Sequence, residues 1–74
     1  MYNKNMFKAE LVKRGITQRA LANTIKMDVS VLNRKINNGH WSIKDLPMIL
    51  KALNVKDEEK FIFDIFLSKN SSET

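Results

Sequence analysis

The sequence predicts an all-α fold in a single domain, and three observations lead to that prediction. The chain has 74 residues, which is enough for one domain with a small core. Apolar residues recur four positions apart in successive segments, which is the spacing of a buried helix stripe. Residues that cap helices precede these segments, and Gly or Asn follows several of them. Short helices joined by tight turns satisfy all three observations.

The first predicted helix ends just before Gly15, a residue that adopts positive φ at little cost. Asn3 or Asn5 is placed to cap its start, because an asparagine side chain accepts from the free N–H groups of the first turn. Phe7 and Leu11 lie four positions apart and form its buried stripe.

Two further helices are predicted at 17–25 and 28–37, joined by a tight turn around Lys26. Thr17 and Asp28 are placed to cap them, since their side-chain oxygens can accept first-turn N–H groups. Each helix also has a pair of aliphatic residues four positions apart, and these pairs are Leu21 with Ile25 and Leu32 with Ile36.

The opposite face of helix 28–37 carries side chains that are short or medium in length and uncharged or basic. Most of them carry groups that can donate or accept hydrogen bonds. A face of this kind suits the donors and acceptors that base edges present in the DNA major groove. Its members are Val29, Ser30, Asn33, Arg34 and Asn37.

A fourth helix follows the loop that holds His40 and Trp41, and its start is open between two residues. If Ser42 is the cap, Pro47 lies one turn inside the helix and cannot make its backbone hydrogen bond. Otherwise the regular helix starts near Asp45. The predicted buried face comprises Ile43, Leu46, Ile49, Leu50 and Leu53.

The last predicted helix spans 57–68 and opens with three acids, which suit the positive end of the helix dipole. The stretch 61–67 is almost entirely apolar, so a short buried strand is the competing prediction there. The acidic start and the helical context favour a helix. The domain is therefore predicted to span 1–68, followed by a polar, disordered tail at 69–74.

Charge is distributed unevenly along the chain, which has a net charge of +5. Residues 1–44 contain nine Lys or Arg and two acids, a balance of +7, whereas residues 45–74 have a balance of −2. A basic half attracts phosphates, although it could also serve only to keep a small domain soluble. The sequence has no cysteine, no apolar signal core and no run of membrane-spanning length, so a cytoplasmic location is expected.

The two paired helices resemble a known DNA-binding motif, and the fourth predicted helix, SIKDLPMILKALNV, extends the resemblance. The paired-helix residues that carry it are Thr17-Gln18-x-x-Leu21-Ala22 and, after the turn, Leu32-Asn33-Arg34-Lys35 and Asn38-Gly39. This pattern resembles the helix-turn-helix of phage Cro and repressor proteins, the Xre-type family. The resemblance implies a compact five-helix, lambda repressor-like domain that binds a double-stranded DNA operator in a prokaryotic or phage-infected cell.

The resemblance also implies roles for individual residues. Helix 28–37 would enter the major groove, and its base-contacting residues would be Val29, Ser30, Asn33 and Arg34. Phosphate contacts are expected from Thr17, Gln18, Asn37, Asn38, His40 and Lys44. The family usually has Gly in the turn where this chain has Lys26, and a left-handed Lys costs on the order of 1 kcal/mol.

Several of these residues could instead have a purely structural role. Arg34 could pair with Asp28 or Glu10, and Val29 could pack against the first helix. Asn33 could face solvent and contact nothing. Gln18 could be an ordinary first-turn residue, and His40 could be a plain loop residue. Trp41 is expected to be a core anchor and not a residue that stacks on a base.

A single small reader contacts few bases, so a homodimer on a palindrome is expected, with half-sites about 34–36 Å apart. Ile62, Phe63 and Phe66 are the candidate dimer contacts, unless they pack within one chain. The leading function is a sequence-specific transcription regulator. The competing function is a protein-interaction module of the same fold, an antitoxin or anti-repressor acting through the last helix. No enzyme activity, cofactor, metal or small-molecule ligand is expected, because one His, no Cys and scattered carboxylates form no catalytic set.

Overall fold

The computed structural model describes residues 1–67, and every regular element in that range is helical. This confirms the predicted all-α, five-helix fold. Residue 68 and the predicted tail at 69–74 lie outside the described residues. The helices are α1 (Lys4–Arg14), α2 (Gln18–Ile25), α3 (Val29–Asn38), α4 (Asp45–Ala52) and α5 (Glu58–Phe61), the last continued by a π-helical turn (Ile62–Phe66).

Side-chain caps begin four of the five α-helices. Asn3, not Asn5, caps α1, and its Oδ1 accepts the N–H of the residue three positions on at 3.1 Å. Thr17 caps α2 in the same way, and Asp28 caps α3 by accepting the N–H two positions on, which confirms both predictions. Asp57 caps α5 at 3.1 Å. Each cap satisfies an N–H that would otherwise have no partner in the helix, a contribution of about 1 kcal/mol.

The core lies where α3 packs against α1 and α2, and α2 against α4. Leu32 and Ile36 of α3 are both 0% exposed, which confirms the predicted stripe. Complete burial of a Leu or Ile side chain is worth about 1.5–3 kcal/mol, so rolling α3 out of this orientation is costly. The remaining core residues include Phe7, Leu11, Leu21, Ile25, Ile49 and Leu50.

The turn between α2 and α3 depends on one left-handed residue. Lys26 adopts φ 58° and ψ 47°, a left-handed backbone conformation. This conformation is strained in a residue with a Cβ atom and unstrained in glycine. The next N–H, that of Met27, donates to Ala22 O at 2.9 Å and closes the end of α2. Gly15 ends α1 with the same geometry at φ 68°.

The start of α4 agrees with the second of the two predicted positions. The helix begins at Asp45, so Ser42 is not part of it and Pro47 occupies its third position, where no helical N–H bond is needed. The prediction that Ile43 is buried is wrong, since it is 87% exposed. The physical reason is that the residues before Asp45 form a non-helical turn, which does not continue the buried stripe of α4.

The last segment is helical, and the competing strand is not found among residues 1–67. Its geometry changes at Ile62, from which the helix widens into a π turn closed by the Leu67 N–H on Ile62 O at 2.9 Å. The segment is tied to the other end of the domain, because the Asn3 N–H donates to Ile65 O at 2.7 Å.

Four aromatic rings close the core between the N-terminal segment, the loop after α3 and the π turn. Phe7 and Trp41 stack at 5.3 Å between ring centroids, and Phe66 meets Trp41 edge-on at 5.8 Å. Trp41 is therefore a core anchor, as expected. Burial raises the pKa of the fourth ring, Tyr2, to about 12, with the neighbouring Trp41 indole opposing part of the rise.

We expect Lys26→Gly to raise the free energy of unfolding by about 0.5–1 kcal/mol, because glycine adopts φ 58° without strain. Urea unfolding followed by circular dichroism measures the change. Gly15→Ala is the matched control, since no atom lies within 4 Å of the added Cβ and only its φ of 68° opposes the change. That variant should lose stability, and equal stability of all three proteins would show that positive φ carries no strain at either turn.

Candidate nucleic-acid interface

The outer face of α3 is defined by the residues that the core leaves outside. Ser30, Asn33, Arg34 and Asn37 are all exposed, as the sequence predicts. Val29 is only half-buried and packs against the core, so much of its side chain is taken up by the protein itself. The face is thus polar and basic, with Val29 at its edge.

A row of three side-chain amides links α2 to this face. Asn33 Nδ2 donates to Gln18 Oε1 at 2.8 Å, and Asn37 Nδ2 donates to Asn33 Oδ1 at 3.1 Å. The possibility that Asn33 has no partner is therefore wrong. Every amide in the row uses only part of its capacity, so donors remain at Gln18 and an acceptor remains at Asn37. The hydrogen bond from Asn33 to Gln18 links α3 to the start of α2, and the free donors and acceptors of the row can still bind a ligand.

Ser30 and the cap of α3 share a single carboxylate oxygen. The Ser30 hydroxyl and the Ser30 N–H both lie 3.1 Å from Asp28 Oδ1. The hydroxyl proton is thereby directed toward Asp28, which leaves the oxygen lone pairs of Ser30 facing solvent. In this state Ser30 presents an acceptor to a ligand.

Arg34 has no ion pair with any of residues 1–67. The two carboxylates that could have held it are engaged elsewhere. Glu10 lies 3.2 Å from Arg14 and 3.3 Å from Lys13, and Asp28 caps α3. The guanidinium is therefore available for a bidentate contact with an external acceptor.

The basic half of the chain has little negative charge near its surface. Its two acids, Glu10 and Asp28, are occupied by the interactions above. Six cations of residues 1–44 have no ion pair with any described residue, and their charges attract a polyanion. They are Lys4, Lys8, Arg19, Lys26, Arg34 and Lys44.

A partly buried ion pair behind α3 was not predicted from the sequence. Lys35 Nζ lies 2.7 Å from Asp45 Oδ2, which also accepts the Ser42 N–H at 2.8 Å. Burial by itself would raise the pKa of Asp45, but the hydrogen bonds from Lys35 and Ser42 and the Lys35 charge outweigh it, and the pKa is lowered. One feature of the sequence points to this pair, since Lys35 directly precedes the buried Ile36 and therefore lies at the border of the buried stripe of α3.

This ion pair positions the loop that follows α3. The loop leaves the helix through Gly39 at φ 76°, and Asn38 Oδ1 accepts the His40 N–H at 2.8 Å. His40 and Lys44 are exposed, while Lys35 and Asp45 anchor the far end of the loop to α3.

Hydrogen bonds link only some of the residues expected to contact phosphates. Gln18 and Asn37 are joined through Asn33, and Asn38 is joined to His40, whereas no hydrogen bond or ion pair among residues 1–67 involves the Lys44 side chain. Thr17 is exposed too, but its hydroxyl oxygen already accepts the Ala20 N–H at 3.0 Å.

The three candidate dimer residues do not share one environment. Phe63 is 59% exposed, whereas Ile62 and Phe66 are half-buried against the core. Phe66 lies in the aromatic cluster, with its ring centroid 5.7 Å from that of Tyr2 and 6.0 Å from that of Phe7. Leu67, which sequence reasoning missed, is 51% exposed and lies four positions after Phe63.

Other kinds of site find little support in the described part of the chain. Residues 1–67 contain no group of three or more His, Cys, Asp or Glu side chains placed to hold a metal ion. None of the helices in that range combines the length and apolar character that crossing a membrane requires.

Comparison with known proteins gives no relative for this chain. No family model, no curated protein and no solved structure matches it.

We expect Asp45→Asn to lower the free energy of unfolding at neutral pH by about 1–3 kcal/mol, because it removes the negative charge and leaves the partly buried Lys35 ammonium with only a neutral amide oxygen as acceptor. The lowered pKa of Asp45 stabilises the fold above the ordinary carboxyl pKa of about 3.9, and this part is lost as the pH falls through the folded value. The stability difference between the two proteins should therefore shrink below about pH 4. Urea unfolding at a series of pH values measures it, and a difference that stays constant down to about pH 3 would contradict this.

Proposed function

We propose that this protein is a sequence-specific double-stranded DNA-binding transcription regulator of the phage Cro or repressor type. The observation that carries the proposal is the orientation of α3. Leu32 and Ile36 are fully buried, and the opposite face exposes Ser30, Asn33 and Arg34, in a half of the chain whose balance of charge is +7. The proposed setting is the cytoplasm of a prokaryotic or phage-infected cell.

In this proposal α3 lies in the major groove and its exposed side chains read base edges. Arg34 binds O6 and N7 of a guanine, the commonest specific contact in such complexes. Ser30 accepts from a base amino group, since its own proton is directed to Asp28. Asn33 uses its remaining donor and acceptor on an adenine or on the backbone, and the exposed part of Val29 contacts a thymine methyl group.

Phosphate contacts flank the reading face on two sides. On one side Gln18 donates its free amide hydrogens to a phosphate while its Oε1 holds Asn33, so the depth of α3 in the groove is set by the same contact. The first turn of α2 adds backbone N–H donors to this phosphate. On the other side the loop after α3 supplies Asn38, His40 and Lys44.

A homodimer on a palindromic operator completes the proposal. The exposed apolar side chains of Phe63 and of Leu67, which directly follows the last helical segment, are the patch of this proposal, and a twofold axis there would bring two copies of the patch together. The patch also suits a protein-interaction module, an antitoxin or anti-repressor, because it belongs to the acidic half of the chain. The unpaired cations of residues 1–44 favour DNA over that second function.

The first test separates base reading from backbone binding. Arg34→Ala should weaken binding to a selected cognate duplex by about 1–3 kcal/mol and relax the preference at one base pair. Lys44→Ala should instead weaken cognate and scrambled duplexes alike and lower the salt dependence. Fluorescence anisotropy with both duplexes measures these effects. If neither variant changes binding, or if the wild type binds no duplex, the proposal fails.

The second test concerns the dimer. Phe63→Asp should give a helical monomer in sedimentation velocity, because it places a charge in the proposed contact without opening the core. Val12→Asp is the matched control, since Val12 is 80% exposed on α1 and shares its surface groove with Gly15 and Ile16 and not with residues of the last segment. Phe66→Asp should unfold the protein, because that ring belongs to the aromatic cluster. A wild type that sediments as a monomer on a palindromic duplex would contradict the dimer.

A further inference from the structure

A polar cleft lies where the N-terminal segment passes the end of α3. It has a volume of about 450 Å³ and is lined by residues 1–5 together with Asn37 and Asn38. The cleft is therefore continuous with the end of the face that α3 would present to DNA. Its other wall includes Lys4 and Asn5, which begin the first turn of α1.

The N-terminal wall of the cleft is held in place on three sides. The Tyr2 ring packs so closely over Gly39 that a Cβ added to that glycine would lie 2.7 Å from Tyr2 Cδ2. The Asn3 N–H donates to Ile65 O at 2.7 Å, and the Asn3 side chain caps α1. Lys4 and Asn5 therefore start α1 from a fixed position beside the end of α3.

The polar groups that remain free in the cleft are mostly donors. Asn3 Oδ1 is occupied by the Met6 N–H and Asn38 Oδ1 by the His40 N–H, which leaves both Nδ2 groups available. Lys4 adds a cation that has no ion pair among residues 1–67. No carboxylate lines the cleft. Donors that include a cationic side chain, with no carboxylate among them, match an anion with several acceptor oxygens.

We propose that this cleft binds a phosphate of the DNA backbone, so that Lys4 and Asn5 of α1 extend the footprint beyond the end of α3. The inference rests on the proposed function, because the phosphate belongs to the duplex that α3 reads. Lys4 supplies the charge, and the amides of Asn5 and Asn38 supply directed hydrogen bonds. These contacts reach no base edge, so they strengthen binding without regard to sequence.

Salt dependence tests the charge of Lys4. Lys4→Ala should lower the slope of log affinity against log salt concentration by about 0.9, the value for one phosphate contact, on cognate and scrambled duplexes alike. Lys56→Ala is the matched control, because Lys56 is also exposed but lies in the loop before α5, beside Asp57. It should leave the slope at the wild-type value.

Asn5→Asp tests whether the cleft binds phosphate without destabilising the fold. A carboxylate in the first turn of α1 suits the helix dipole, so the melting temperature should stay level or rise while affinity for both duplexes falls. If wild-type protein binds and both cleft variants match Lys56→Ala, the cleft proposal is wrong and the proposed function stands. If wild-type protein binds no duplex at low salt, both the proposed function and the cleft proposal are wrong.

Discussion

The burial of Leu32 and Ile36 is the constraint on which the rest of the molecule depends. These two side chains fill the space where α3 meets α1 and α2, and they set the rotation of α3 about its own axis. A rotation by one residue, about 100°, would bring polar side chains into the core and lose several kcal/mol of apolar burial. The polar face of α3 is therefore presented to solvent as a consequence of packing.

Two interactions transmit this constraint to the surroundings of α3. The Gln18–Asn33 hydrogen bond couples the start of α2 to the outer face of α3, and the Lys35–Asp45 ion pair couples the back of α3 to the loop that leads into α4. Groups proposed to contact phosphates on either side of the groove are thereby held relative to one helix. Such preorganisation lowers the cost of ordering side chains when a ligand binds.

Local rules predicted most of the fold. Caps such as Asp28 and stripes such as Leu32 depend on neighbours within one turn, so the sequence carries the information directly. The prediction that failed depends on where α4 begins. Ile43 lies in the non-helical turn before Asp45 and therefore does not join the buried stripe of α4. The half-buried position of Phe66 depends on rings from remote segments, which local rules do not reveal. The exposure of the outer face of α3 was predicted from spacing, whereas its hydrogen bonds to α2 and the N-terminal cleft became visible only in the packed structure.

The most direct measurement of the central claim is amide chemical-shift mapping of ¹⁵N-labelled protein with a duplex enriched from a random library. We predict that the largest changes fall on the start of α2 and the outer face of α3, namely at Gln18, Ser30, Asn33, Arg34 and Asn37. Changes confined to residues 58–67, with α3 unaffected at saturation, would contradict the claim that α3 reads DNA.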